Sequence, residues 1–529
     1  MHRKYIIITG GVLSGLGKGV TIASIGNLLS SDHKVIPIKC DGYLNVDPGT
    51  MNPVEHGEVF VLDDGGEVDM DFGHYERFLN INCKSDWNLT MGKVFQNIRD
   101  KERRGDYLGK TVQMIPHVSD FISDYYIEKS KEAKSEVTLI EIGGTVGDME
   151  NELYIEAART LPQKVGRENV IYVHLTYVPI PSGVDEQKSK PTQQSIAMLM
   201  QRGIHPDIVI ARCKEQLTAH VKGKISTFCN IPESNIFTAV DVDDIYKIPL
   251  VFEEQGMVKI LAKILNIKIN PQTKEWKKLI ENKQNPKKAV NIAIAGKYTS
   301  LEDSYASIVE ALNHCAANTN SKVNISWIDT TDENKIEQQM KGIDGIIVPG
   351  GFGSRGTEGK IRTIQYCREN DVPFLGICYG LQMAVIEFAR NVCGIKDANS
   401  TEIIKDCIEP VIDILEEQKT VTEKGGTMRL GAYNANIKED SIIYKLYNSK
   451  KVSERHRHRY EVNPKYHKVL QEKGLVLSGL SPSGTLTEFI ELPKHSYFAA
   501  TQAHPELKST LLKPAPLFLG LVNATLNKK

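Results

Sequence analysis

A run of β-branched residues that stops at glycine and hands over to helix-like sequence occurs twice in this chain, and it constrains the fold more than any other feature. Tyr5-Ile-Ile-Ile-Thr9 leads into Gly10-Gly11, and Val290-Asn-Ile-Ala-Ile-Ala295 leads into Gly296-Lys297. Such runs suit strands buried on both faces, the condition of a parallel sheet covered by helices. Further buried-strand candidates are Val137–Glu141, Val170–His174, Ile208–Ala211, Gly345–Val348 and Pro373–Ile377, with helical stretches between them. Strands alternating with helices at this spacing predict two doubly wound α/β domains, with ligands at the carboxyl ends of the strands. The lysine-rich segment 266–288, which holds two prolines and little apolar periodicity beyond Trp276, Leu279 and Ile280, reads as a linker with a short helix. The expected domains are therefore 1–265 and 289–529.

The 529 residues allow two to four folding units of ordinary globular composition. Lys+Arg 65 against Asp+Glu 66 leaves a net charge of -1, so no general attraction to nucleic acid or anionic membranes is expected. Phosphate binding must then be local. The start, MHRKYIIITGG, turns glycine-rich after five apolar residues, which suits neither a signal peptide nor a membrane helix. A cytoplasmic protein is expected. Nine scattered cysteines without a C-x-x-C spacing suggest a reducing compartment and neither a zinc knuckle nor a disulfide framework.

The first strand is followed by Gly10-Gly-Val-Leu-Ser-Gly-Leu-Gly-Lys-Gly19. Its glycines let successive N–H groups face phosphate oxygens at a helix N-terminus, and Lys18 can neutralise the β/γ oxygens. The match to the usual phosphate loop is imperfect, because Gly19 replaces the magnesium-binding hydroxyl. Carboxylates must then hold the ion; Asp71, in a polar, glycine-flanked segment, and Glu141, at the end of a buried run, are the candidates. The cluster 188-KSKPTQQ-194 predicts an extended segment with Lys188 and Lys190 on one side, since Pro191 disfavours helix at the residue before it. It is either a second polyphosphate site or a solvated charge pair.

A second constellation lies near the C-terminus. Gly376-Ile-Cys378-Tyr-Gly380 after a strand has the form of a nucleophile elbow, and a helix N-terminus favours a thiolate. Gln502-Ala-His504-Pro-Glu506 supplies a base and its orienting carboxylate on one side of an extended segment. The turn Pro349-Gly-Gly-Phe-Gly-Ser-Arg-Gly356 offers N–H groups for an oxyanion. The alternating 454-ERHRHRYE-461 lacks the cysteine or acidic partners of a metal site and is assigned a substrate-binding or structural role.

These residues carry a resemblance. Through PGGFGSRG, GICYGLQ and the terminal HPE, the second half resembles class I glutamine amidotransferases. Through GGVLSGLGKG, DGYLNVDPGTMNP, HGEVFV, DFGHYERF, KERRGDYLGKTVQ, EIGGTVGDME, KSKPTQQ and VDVDDIYKIP, the first half is similar to the amidoligase domain of the CTP synthase family, so nearly the whole chain is covered. The resemblance implies a ligase that phosphorylates UTP with ATP and aminates it with ammonia from glutamine. It implies ATP at Ser14, Gly15, Leu16, Gly17, Lys18, Gly19, Lys39, Asp71 and Asp241, with Mg2+ on Asp71 and Glu141. UTP, and CTP as feedback inhibitor, would use Ser14, Asp148, Glu150, Lys188, Lys190, Gln193 and Lys224. Glutamine would meet Gly351, Gln382, Glu402 and Arg459 beside a Cys378–His504–Glu506 triad, and His56 would line an ammonia passage. GTP activation through a lid at 425–431 and a homotetramer that can form filaments are also implied. Tyr379 and Ala503 depart from the Leu and Phe common in the family, and the stretch Ile412–Glu423 is shorter than in many relatives. The alternatives are another ATP-dependent amidotransferase, such as those acting on cobyrinate-type carboxylates, and a catalytically silent assembly protein on the same fold.

Overall fold

The computed structural model describes residues 3–49, 51, 57–297, 302–414 and 428–528. The chain divides into two compact units: Met1–Asp47 with His74–Lys277, and Pro48–Gly73 with Lys278–Lys529. Neither is contiguous in sequence, because Pro48–Gly73 groups with the second.

In the first unit seven strands lie side by side in the order Asn88–Thr90, Val35–Asp41, Val137–Ile142, Lys4–Gly10, Val170–Tyr177, Ile208–Cys213, Ile236–Val240. Every pairing is parallel. Lys4–Gly10 is buried throughout, as a central parallel strand demands, and its middle, Tyr5–Ile8, is apolar. Helices cover the sheet, and Ile7, Ile38, Ile140, Tyr126 and Leu161 share one of its cores. The sequence reversal falls at the central strand, so the Gly10–Lys18 loop and the Gly143–Glu150 loop leave the same sheet edge as neighbours.

One local expectation changes. Lys190 is the first residue of the helix Lys190–Gln201, with Pro191 in its first turn. The proline needs no N–H donor there, so the cluster is a helix start and not an extended strip. Asp71, placed by sequence in a polar, glycine-flanked segment, opens the helix Asp71–Leu79. The short helix foreseen in 266–288 spans Lys274–Gln284. Its Trp276 is 3% exposed and donates to the Tyr246 carbonyl at 2.7 Å, within the first unit.

The second unit holds a nine-stranded sheet. Ser321–Asp329, Lys288–Gly296, Gly345–Val348, Phe374–Ile377 and Phe498–Thr501 run parallel. Thr487–Glu491, Val476–Leu480, Arg429–Ile437 and Lys451–His458 extend it antiparallel. A hairpin from early in the sequence, Phe60–Val61 paired with Glu67–Val68, adds to this unit. Asp63 Oδ1 accepts from Arg455 Nε at 2.6 Å and Glu67 Oε1 from Arg457 Nε at 2.8 Å. Backbones touch here: a Cβ on Gly431, whose φ is +94°, would stand 2.6 Å from the Gly65 nitrogen. Among the described residues no helix is long and apolar enough to cross a membrane.

Candidate active sites

In the first unit, the glycine loop turns through positive φ at Gly15 and Gly17 (77° and 88°), and Gly17 caps the helix Lys18–Leu29. The first N–H groups of that helix therefore open toward the loop, an arrangement suited to phosphate. Lys18 Nζ donates to the Gly144 carbonyl at 2.6 Å. That ties the ammonium to the neighbouring carboxyl-end loop, where Asp148 accepts from the Thr145 N–H at 2.6 Å and its hydroxyl at 2.8 Å. Below the loop, Thr9 Oγ1 and Ser195 Oγ bracket the His174 ring at 2.8 and 2.7 Å. Burial, aided by the Lys18 charge, pushes His174 down to about 3, so it stays neutral. Asp241 accepts from Arg212 Nε at 2.7 Å, and an Arg212 nitrogen lies 3.6 Å from where a Gly17 side chain would begin.

Glu141 accepts from Lys39 Nζ at 3.0 Å and from the Tyr75 hydroxyl at 2.5 Å. Lys188 reaches Glu186 at 2.6 Å, and that exposed carboxylate is held low by the Lys188 hydrogen bond and, more weakly, by Lys224. Lys188 and Lys224 thus share a locality. Gln193 donates to Ser189 at 3.1 Å, and Glu150 is exposed in the turn Met149–Asn151. His56 lies outside the described residues, as do residues 425–427 of the lid.

In the second unit, Cys378 stands between the strand Phe374–Ile377 and the helix Tyr379–Asn391 with φ 51° and ψ −102°. A non-glycine residue there is strained, at about 1–3 kcal/mol, and surrounding contacts must enforce it. They do: the Cys378 N–H donates to Thr501 O at 2.7 Å, and Gly376 and Gly380 leave no room for side chains. A Cβ at 380 would sit 2.1 Å from the Val348 carbonyl oxygen.

His504 Nδ1 and Glu506 Oε1 are 2.7 Å apart. The residues are not extended as expected; Glu506 sits in the single turn Pro505–Lys508, which still turns its carboxylate onto the ring. Burial opposes charge on His504, but the Glu506 carboxylate and the Cys378 thiol outweigh it and hold the imidazole well above its ordinary value. A Cβ on Gly350 would meet His504 Cε1 at 2.9 Å and Cys378 Cβ at 3.8 Å, so the glycine turn closes directly over the pair.

A cavity of about 760 Å³ joins these groups; Gly351, Gln382, Glu402 and Arg459 line it together with Cys378 and His504. Gln382 Nε2 donates to the Tyr460 carbonyl at 2.9 Å, while its buried Oε1 has no partner among the described residues, leaving an acceptor for a ligand N–H. Glu402 accepts from the Gly353 N–H at 2.8 Å, and burial raises its carboxyl. Sequence reasoning missed Glu58 and Val59 in this cavity, whereas Arg457 belongs to the 454–461 segment given a substrate-binding or structural role. It also missed Gln502, whose Nε2 lies 3.7 Å from the Cys378 sulfur. The HPE motif begins two residues past Gln502. Of the alternating Arg/His strand, His456 and His458 are buried 3.0 Å apart in a structural cluster with Arg429, Glu461 and Glu488. His458, Arg457 and Arg459 also reach the cavity wall. No group of three or more metal-type ligands forms among the described residues.

A glycine-loop synthetase sheet in one unit and a strained cysteine elbow with His and Glu in the other define a synthetase joined to a class I glutamine amidotransferase. The family model for the CTP synthase N-terminus matches residues 4–267, and that for class-I glutamine amidotransferase matches 300–524. The CTP synthase of Borreliella afzelii is 55% identical over 530 residues, covering 99% of both chains. That of Archaeoglobus fulgidus is 50% identical over 524 residues, covering 99% of this chain and 98% of its own. A solved glutaminase domain of Trypanosoma brucei CTPS with bound acivicin is 38% identical over 45% of this chain and 95% of that one, with a TM-score of 0.43. The chain belongs to the CTP synthase family and is a glutamine-hydrolysing ligase.

Proposed function

We propose that the enzyme makes CTP from UTP, ATP and glutamine through two half-reactions. The observation that carries this reading is the cavity in which Cys378, His504 and Glu506 face the Gly350–Gly351 turn. Cys378 attacks the glutamine side-chain carbonyl; the resulting oxyanion is held by N–H groups of the turn, and His504 passes its proton to the departing ammonia. The thioester is then cleaved by water that His504 deprotonates, and glutamate leaves. Gln382, Glu402 and Arg459 supply an acceptor, a carboxylate and a cation for the amino acid's own charged ends.

In the synthetase unit, the loop Ser14–Gly19 with Lys18 cradles the ATP phosphates, and Lys39 and Asp241 flank it. Asp148, Glu150, Lys188, Lys190, Gln193 and Lys224 form the UTP site, which CTP would occupy as inhibitor. The γ-phosphoryl group moves to O4 of UTP, turning a poor leaving oxygen into phosphate, and ammonia displaces that phosphate at C4. Carboxylate oxygens are the hard donors magnesium takes, and Glu141 is already oriented by Lys39 and Tyr75. Asp71 and Glu141 would hold the ion, which would neutralise charge on the triphosphate. Ammonia delivery past His56, activation by GTP at the lid, a homotetramer and filaments complete the proposal.

The test is CTP absorbance with UTP, ATP and magnesium. Cys378→Ala should abolish glutamine-dependent synthesis and retain synthesis from free ammonia, whereas Lys18→Ala should lose both. A folded Cys378→Ala protein that loses both activities would refute the division of labour.

A further inference from the structure

Lys360 takes no part in the function described so far, and its setting is unusual for a lysine. It lies in the helix Thr357–Glu369 and is 2% exposed. Its Nζ donates to the Pro349 carbonyl at 3.4 Å and sits 4.9 Å from the Tyr379 ring centroid. Among the described residues no carboxylate lies within ion-pair distance of it. A buried ammonium without a counter-charge is costly, and a carbonyl with a ring face compensates only in part. The same Nζ would be 3.3 Å from a Cβ on Gly351, so the ammonium stands immediately behind the glycine turn. Tyr379 fastens the other end of that turn, its hydroxyl donating to the Gly353 carbonyl at 2.7 Å.

We propose that Lys360 is a positioning residue for glutamine hydrolysis. Seated between the Tyr379 ring and the Pro349 carbonyl, it holds the Gly350–Gly351 turn and places a positive charge behind the oxyanion of the tetrahedral intermediate. The proposal rests on the glutaminase reading of Cys378 given above. Tyr379 is part of the device, which gives a purpose to a residue that departs from the common family pattern.

The titration of Lys360 separates this role from simple packing. Burial pushes its amine down to about 7; the Lys297 charge adds to that, while Cys378 and Glu402 favour the cation. Among the described residues these groups and Tyr379 are the titratable neighbours that face it. Below about pH 7 the ammonium is present, and as pH rises through that value the charge is lost.

Glutamate release by the full-length enzyme should therefore be measured from pH 6 to 9.5 for wild type, Lys360→Met and Lys360→Gln. The kcat ratio of wild type to variant should be about tenfold near pH 6 and fall to within about twofold at pH 9.5, with KM for glutamine little changed. A ratio of one throughout, or a loss constant with pH, would overturn the proposal, as would the failure of both variants to fold. Cys378→Ala, run alongside, separates the two readings: continued hydrolysis in that protein would refute the glutaminase assignment, whatever Lys360 does.

Discussion

Replacing Glu506 by Gln tests the heart of the amidotransferase site. The substitution keeps size and shape and removes only the negative charge that His504 Nδ1 meets at 2.7 Å. The two side chains are 17% and 4% exposed, so water screens the pair weakly. A hydrogen bond to a charged group contributes about 1.5–3 kcal/mol, and each 1.36 kcal/mol is tenfold in rate. Losing that charge lowers the imidazole pKa and weakens its pairing with Cys378, so most of the energy appears in the barrier. The variant should release glutamate about 10- to 100-fold more slowly at saturating glutamine. Its ammonia-dependent CTP formation should stay at the wild-type rate, because that half-reaction uses none of these groups. A glutaminase rate within threefold of wild type, in a folded protein, would mean that Glu506 neither orients nor charges His504, and the triad reasoning would fail.

Two further outcomes follow from packing and charge. Gly380→Ala places a methyl 2.1 Å from the Val348 carbonyl oxygen, a backbone atom that cannot swing aside. The elbow should open at a cost of about 3 kcal/mol, read as a drop in the denaturation midpoint together with loss of glutaminase activity. Asp63→Asn removes the carboxylate from the fully buried Arg455; since Asp63 is 28% exposed, the loss should be about 1–3 kcal/mol at pH 7, measured by urea unfolding. Burial alone would raise Asp63, but Arg455 and Lys508 outweigh it and lower its carboxyl. A depressed acid contributes stability above its ordinary pKa and loses it as pH falls through the folded value. The gap between wild type and Asp63→Asn should therefore close below about pH 4.

The parallel strands were legible because they are buried on both faces, which writes them as apolar runs such as Tyr5–Ile8. The antiparallel strand Lys451–His458 was not, because it buries Glu454, Arg455, His456 and His458, and hydrophobic periodicity does not register buried charge. Cys378, His504 and Glu506 stood out as residue types at chemical spacings. Lys360 looked like one more helix lysine, yet a signal existed: it lies three residues after Thr357 and four before Ile364, both buried on the core face of the same helix. Lys190 was misread because a rule about the residue before proline was applied where a helix begins. The partners of Arg455 and Arg457 were beyond sequence reasoning, since Asp63 and Glu67 lie 392 and 390 residues away.

That separation has a consequence for how the chain is made. At about 5–20 residues per second, some 20–80 seconds pass between synthesis of Asp63 and synthesis of Arg455. During that interval the first unit can assemble from residues on both sides of the hairpin, while Phe60, Val61 and Val68, all buried in the finished protein, have no strand to cover them. The hairpin must wait, exposed, as a loop of a partly built molecule. Nascent chains of this enzyme should thus depend on chaperones most strongly between completion of the first unit and arrival of the strand that carries Arg455 and Arg457.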